Sequence, residues 1–348
     1  MKRSLFLGLA LSVALLGCSG KGADKDAANK SGEVAATKVV LQVGAEANPG
    51  EPQVEGMNKW AELVKERSNG TMELQVFPSS QLGYKAALID QMLVGDPVIS
   101  VCDAAYYADR GVPDLGIVMA PFLLKSWDDA WTIINSDWYA EQLKKLEDKG
   151  LKVITSNWIY GERNLLTTKP VKNPEDLVGM KIRVPNNVLQ LKGFEALGAV
   201  PTPTDLSEVY TALQQKVVEG VENPLTVLYN GRFYEVAKYL ALTSHVKNFT
   251  TFVMSKQVFD SLTPEQQKIL IETGNEAGEY QNALFSDEVN QELLEKFKAA
   301  GVEVTEIDQD AFAEAAKGFY SMPELTKKWS PGLYERVSTI LEEGRKSK

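Results

Sequence analysis

Gly179-Met-Lys-Ile-Arg-Val-Pro-Asn-Asn187 carries the first clear signature of a fold. Met180, Ile182 and Val184 alternate with Lys181 and Arg183, which is the period of a strand. The alternation sets Arg183 on the face opposite the apolar residues. Pro185 lacks a backbone donor and ends the strand. A helix is predicted over 188–197, closed by Gly198. A guanidinium is therefore expected at the C-terminal end of a strand, and in open α/β sheets that crevice is where ligands bind. Arginine is also the side chain whose planar fork matches a carboxylate with two parallel hydrogen bonds. The stretch predicts a small organic acid held by Arg183.

Working outward, strands are expected at 38–44, 71–77, 98–102 and 151–155, with helices between them. The run Val98-Ile-Ser-Val-Cys102 is nearly continuous in apolar residues, as in a strand buried on both faces. Strand–helix alternation starts again after residue 157, with strands at 180–184, 199–202 and 217–221. This predicts two α/β units, each a parallel sheet covered by helices. Short strands at 239–242 and 249–255 return toward the first unit. Thr263-Pro-Glu-Gln266 is a capping box with proline at the first helical position. It opens a helical pattern expected to reach Lys298, with Gly274 and Gly278 as bends, long enough to span both units. A last strand is expected at 302–307, with terminal helices at 311–320 and 331–343.

The first residues read as a targeting segment. Lys2 and Arg3 precede an apolar run, Leu5 to Leu16, that is too short for a transmembrane helix. Leu15-Leu-Gly-Cys18 resembles the lipobox of bacterial lipoproteins. Residues 1–17 are expected to be a signal peptide and Cys18 the lipidated residue. Residues 18–37, rich in Gly, Ala, Ser, Lys and Asp, read as a flexible tether. With Cys18 lipidated, Cys102 is the one remaining cysteine of two and no intramolecular disulfide forms. Cys102 is expected to be a small buried hydrophobe.

The formal charge is −10. Removing Lys2 and Arg3 from 37 basic residues leaves 35 against 47 acidic ones, or −12. A chain this acidic lacks the basic face that nucleic acid requires. It also needs local positive charge to hold an acidic ligand.

Arg163, Arg183 and Asn223 sit at or just past predicted strand ends, with Asp103 and Glu46 from the first unit facing them. Two guanidiniums and an amide supply the donors that a carboxylate needs when it leaves water. Asp103 and Glu46 are acceptors suited to hydroxyl or ammonium groups. Trp158, Tyr160 and Tyr229 offer apolar faces for a sugar ring. Each residue also has a structural reading. An arginine at a strand end forms surface ion pairs, Asn223 before Pro224 starts a turn, Asp103 caps a helix, and the aromatics fill the core.

Pro78-Ser-Ser-Gln-Leu-Gly83, Lys181-Ile-Arg-Val-Pro-Asn186, Pro201-Thr-Pro203, Ser207-Glu-Val-Tyr-Thr-Ala-Leu-Gln214 and Glu222-Asn-Pro-Leu225 follow one another in a family-specific order and spacing. The chain after the tether resembles the substrate-binding proteins of tripartite ATP-independent periplasmic (TRAP) transporters, the DctP family. The resemblance implies a periplasmic-binding-protein-like α/β fold of two domains, with a ligand cleft between them and a long helix spanning both. It places residues 38–160 plus 249–288 in one domain and 161–248 plus 289–344 in the other. It implies an organic acid as ligand, the small and large membrane subunits of the transporter as partners, and a periplasmic or extracytoplasmic location anchored by Cys18. Arg183 matches the family's carboxylate-binding arginine, Arg163 a second arginine and Asn223 a ligand-contacting asparagine.

Two positions depart from the sialic-acid binders of that family. Leu206 stands in place of an aromatic residue and Glu46 in place of an amide. An acidic Glu46 beside the ligand disfavours a second carboxylate, so a hydroxylated monocarboxylate, such as a uronate or another sugar acid, is expected over a C4-dicarboxylate. A sensory lipoprotein with the same fold and pocket is the alternative outside transport. His245 is the only histidine, and no phosphate-binding glycine loop or nucleophile elbow is present. No cofactor, no metal and no enzymatic activity are therefore expected, and His245 reads as structural or as a surface residue.

Overall fold

The computed structural model describes residues 38–347. The expected signal peptide, the expected lipidation site Cys18 and the expected tether lie outside the described residues. The described residues cluster as one compact unit, built on a nine-stranded mixed sheet. Its strands are β1 (Val39–Gly44), β2 (Met72–Phe77), β3 (Val98–Cys102), β4 (Leu151–Thr167), β5 (Lys181–Val184), β6 (Val200–Pro203), β7 (Gly220–Pro224), β8 (Tyr239–Ser255) and β9 (Glu303–Thr305). The order is β2-β1-β3-β8-β4-β7-β5-β6, with β9 beside β8.

Two parallel triplets flank a long antiparallel pair. β2, β1 and β3 are mutually parallel, as are β6, β5 and β7, while β4 and β8 run antiparallel to each other and to the triplets they meet. The fully parallel sheet expected for each unit is therefore corrected to a mixed one. The registers fix the directions. Cys102 at the end of β3 pairs with Thr251, and Pro224 at the end of β7 pairs with Arg163. The C-terminal ends of both triplets thus point toward the middle of β4 and β8. This is the crevice geometry anticipated from residues 179–187.

β4 and β8 each run for 17 residues, where short segments at 151–155, 239–242 and 249–255 were expected. Hydropathy misleads here for a physical reason. Thr243, His245 and Asn248 are polar yet buried, so a central strand carries the composition of a loop. Four register shifts in the β4–β8 ladder, between Val153 and Leu165, break the period-2 pattern as well. Gly161 lies at one of these shifts with φ +128°, and a Cβ added there would stand 2.8 Å from Pro224 Cβ. Gly161→Ala is therefore expected to cost at least ~1–3 kcal/mol, read as a lower denaturant midpoint at unchanged slope.

The helical pattern after Thr263 is divided. One helix runs Pro264–Asn282 from the expected capping box, and a second, Asp287–Ala299, restarts at Ser286. Gly274 and Gly278 lie within the first helix without interrupting it. They let it approach the core: added Cβ atoms would meet Trp60 at 3.1 Å and Asn157 Oδ1 at 2.6 Å. Trp60, Trp158 and Phe252 pack edge-on and tilted beneath it. Among the described residues no helix is long and apolar enough to cross a membrane.

Candidate functional site

A chain of buried polar contacts crosses the middle of the sheet, where the triplets converge. It starts at Glu46, just past β1. Lys85, the first residue of the helix Lys85–Leu93, stands 3.7 Å from Glu46 Oε2 and donates to Asp103 Oδ2 at 2.9 Å. Asn248 on β8 donates to Asp103 Oδ1 at 3.0 Å and accepts from Arg163 Nη1 at 2.9 Å. Arg163 on β4 grips Glu222 on β7 in a fork, Nε to Oε2 at 2.5 Å and Nη2 to Oε1 at 2.7 Å. His245 Nε2 meets Glu222 Oε2 at 3.2 Å, and its Nδ1 meets Thr243 Oγ1 at 2.8 Å. Tyr160 lies between the cations, its ring centroid 5.5 Å from Lys85 Nζ and 5.9 Å from Arg163 Cζ.

Arg183 stands apart from this pairing. It is 3% exposed, and its Nε and Nη2 donate only to the Thr204 carbonyl. Among the described residues it forms no ion pair. Lys85, Arg163 and Arg183 are the buried lysines and arginines described. Lys85 is committed to Asp103 and Glu46, Arg163 to Glu222, and Arg183 to no carboxylate.

Protonation follows the pairing. Burial works against the Lys85 ammonium, but Asp103 and Glu46 outweigh it and hold its pKa well above the usual value. Burial would raise the Asp103 carboxyl, and Lys85 and Arg163 pull it below its ordinary range. Glu222 is likewise opposed by burial, yet Arg163 and His245 hold it down at about 2. Burial lowers His245, which favours the neutral ring despite Glu222. Burial also lowers Arg183, with Glu222 and Glu46 only partly compensating. A buried guanidinium opposed in this way gains much from an incoming anion.

The sequence-predicted residues sort cleanly. Arg163 and Arg183 are buried rather than surface ion pairs. Asn223 lies within β7 instead of starting a turn, is 2% exposed, and makes no side-chain hydrogen bond among the described residues. Asp103 precedes the helix Ala104–Ala108 without capping it, its carboxylate turning to Lys85 and Asn248. Glu46 and Leu206 line one cavity of about 250 Å³, at whose edge Tyr84 Oη meets Ser207 Oγ at 2.8 Å. Tyr160 joins the cluster. Trp158 does not: it is fully buried against Trp60 and Phe252, and its Nε1 donates to Gly274 O at 3.2 Å. Tyr229 stacks on Tyr234 against Phe297 in a separate apolar cluster. Cys102 is buried, its thiol pKa raised by desolvation, as fits a small hydrophobe.

Lys85, Glu222, Asn248 and the buried role of His245 were not singled out in the sequence. Two signals pointed to them. Lys85 opens a helix, where a cation opposes the macrodipole and needs an acidic partner. Glu222 follows the predicted strand Val217–Val221, and an acid buried in a strand needs a cation.

A cavity of about 430 Å³ touches Glu162, Asn164 and Pro224, next in sequence to Arg163 and Asn223, but no lysine or arginine lines it. The cationic cluster, not that cavity, suits an acid. Among the described residues no group of His, Cys, Asp and Glu is placed to hold a metal ion.

Comparison with known proteins gives a consistent likeness. The model of the bacterial extracellular solute-binding protein family 7, DctP, matches residues 43–324. The 2,3-diketo-L-gulonate-binding periplasmic protein of Escherichia coli is 34% identical over 277 residues, 79% of this chain and 84% of that protein. A TRAP periplasmic solute-binding protein from Ochrobacterium anthropi, solved with bound L-fuconate, is 40% identical with a TM-score of 0.83, covering 87% of this chain and 99% of that one. Another, from Actinobacillus succinogenes with bound L-galactonate, is also 40% identical with a TM-score of 0.83, covering 88% and 100%.

Proposed function

The chain belongs to family 7 of the bacterial extracellular solute-binding proteins, DctP, and from that premise we propose that it captures a hydroxylated monocarboxylic acid of the sugar-acid class through Arg183. The observation that carries the reading is the uncommitted guanidinium. Among the described residues three lysines and arginines are buried; two are matched by carboxylates of the chain, and the third, without one, asks for a ligand carboxylate. Asn223, whose side chain makes no hydrogen bond among the described residues, supplies an amide. Arg163 orients the site through Glu222 and Asn248 and retains one N–H for the ligand. Glu46 and Asp103 accept hydrogen bonds from the ligand hydroxyls.

The two lobes are residues 38–160 plus 249–288 and residues 161–248 plus 289–344. They close on the acid, and the ligand favours closure only by what it gains in the closed state over the open one. The loaded protein, held to the membrane through lipid on Cys18, then passes the acid to the small and large membrane subunits of a TRAP transporter.

Calorimetry with hexonates, uronates, succinate and malate tests the reading. The tightest ligand is expected among the hexonates and uronates. Succinate and malate are expected to bind at least ~10-fold more weakly, since a second buried carboxylate without a cation costs ~1–3 kcal/mol or more. Equal or tighter binding of the dicarboxylates would refute it.

A further inference from the structure

We propose that Lys85 sets the specificity of the site, making the end that carries Glu46 and Asp103 read hydroxyl groups and reject ammonium groups. The inference rests on the reading of Arg183 just given. Two acids alone suit either group, because both donate. Lys85 breaks the tie. Its Nζ lies 2.9 Å from Asp103 Oδ2, 3.7 Å from Glu46 Oε2, and 5.5 and 5.8 Å from the ring centroids of Tyr160 and Tyr106. Asp103 takes one of the three Nζ N–H groups, and Glu46 lies beyond hydrogen-bond distance of Nζ, accepting instead from the Lys85 backbone N–H at 3.4 Å, so Nζ donors remain. Lys85 is only 7% exposed, and Asp103 holds its ammonium in place at the site.

A hydroxyl donates one hydrogen bond and accepts others. Between Lys85 and the two acids it can donate a hydrogen bond to a carboxylate and accept one from the ammonium. A ligand ammonium has only donors and would meet Lys85 as a like charge. A ligand carboxylate has only acceptors and would meet two acids. The trio therefore fits a polyhydroxy chain by hydrogen-bond sense, while each charged alternative meets a like charge within it.

The test compares galactonate, its 6-amino-6-deoxy analogue and glycerate by calorimetry on the purified protein and three variants. Lys85→Gln is expected to weaken galactonate at least ~10-fold, glycerate by a smaller factor, and to narrow the hydroxy-over-amino preference at least ~10-fold. Lys85→Arg keeps charge and donors and is expected to hold that preference within about threefold. Glu46→Gln, which leaves Lys85 paired with Asp103, is expected to widen it. An unchanged hydroxy-over-amino ratio in Lys85→Gln would overturn the inference. So would equal losses for galactonate and glycerate. If Lys85→Gln melts before it can be titrated, the Glu46→Gln ratio decides, and a narrowed ratio counts against the inference. A wild-type protein that binds neither galactonate nor glycerate would overturn the sugar-acid reading as well. One that binds them with Lys85 indifferent would overturn this inference alone.

Discussion

Replacing Arg183 with alanine is expected to weaken sugar-acid binding by roughly 30- to 4,000-fold, the 2–5 kcal/mol that follows from removing one member of a buried charge pair. The expected effect on the empty protein is the opposite of the usual one. Arg183 is buried, its charge is opposed by desolvation, and its bonds go to one backbone carbonyl. Removing it should leave the melting temperature of the ligand-free protein unchanged or higher. The wild-type protein should melt at a higher temperature when ligand is added, because only the folded state binds it. The variant should lose that shift. Arg183→Lys keeps a charge but not the fork, so an intermediate loss is expected. Loss of ligand-free stability comparable to the loss of binding would mean that Arg183 is structural.

Glu222→Ala is expected to act in the other direction, costing ~3–5 kcal/mol of stability by leaving Arg163 buried without its acid. Glu222 is fully buried, and its pKa is lowered from 4.5 to about 2. The sign follows from that depression. The folded state binds fewer protons than the unfolded one between these values, so stability falls as pH drops. The stabilisation from the pair is fully present above 4.5 and is lost as pH falls through about 2. Urea unfolding of both proteins across pH should show a constant gap above 4.5 that narrows toward 2. A gap independent of pH over that window would show that the carboxylate charge is not what Arg163 needs.

How much of this could be read from the residues depends on what each signal measures. Arg183, Asn223, Asp103 and Glu46 were put forward because a strand's end is visible in sequence: alternation stops, and Pro185 or Pro224 marks the stop; Arg163, also expected at a strand end, lies instead inside β4. All of them are buried or nearly so where the two triplets converge. The full length of β4 and β8 was not legible, because Thr243, His245 and Asn248 put polar residues inside buried strands and bulges broke the alternation. Trp158 illustrates a different limit. Its sequence neighbourhood points to the ligand, but a two-ring side chain finds more contact against Trp60 and Phe252 than in a polar cleft. The helix-start position of Lys85 and the strand position of Glu222 call for oppositely charged partners but do not name them, because Asp103 and Arg163 are 18 and 59 residues away. The identity of so distant a partner leaves no local pattern.

A crystal structure of the protein with galactonate bound tests the role of Arg183 most directly. The expected result is a ligand carboxylate with both oxygens at hydrogen-bond distance, ~3 Å, from the Arg183 guanidinium, Arg163 still forked on Glu222, and hydroxyls turned toward Glu46, Lys85 and Asp103. A carboxylate bound away from Arg183, or Arg183 turned into bulk solvent with the acid held elsewhere, would contradict it.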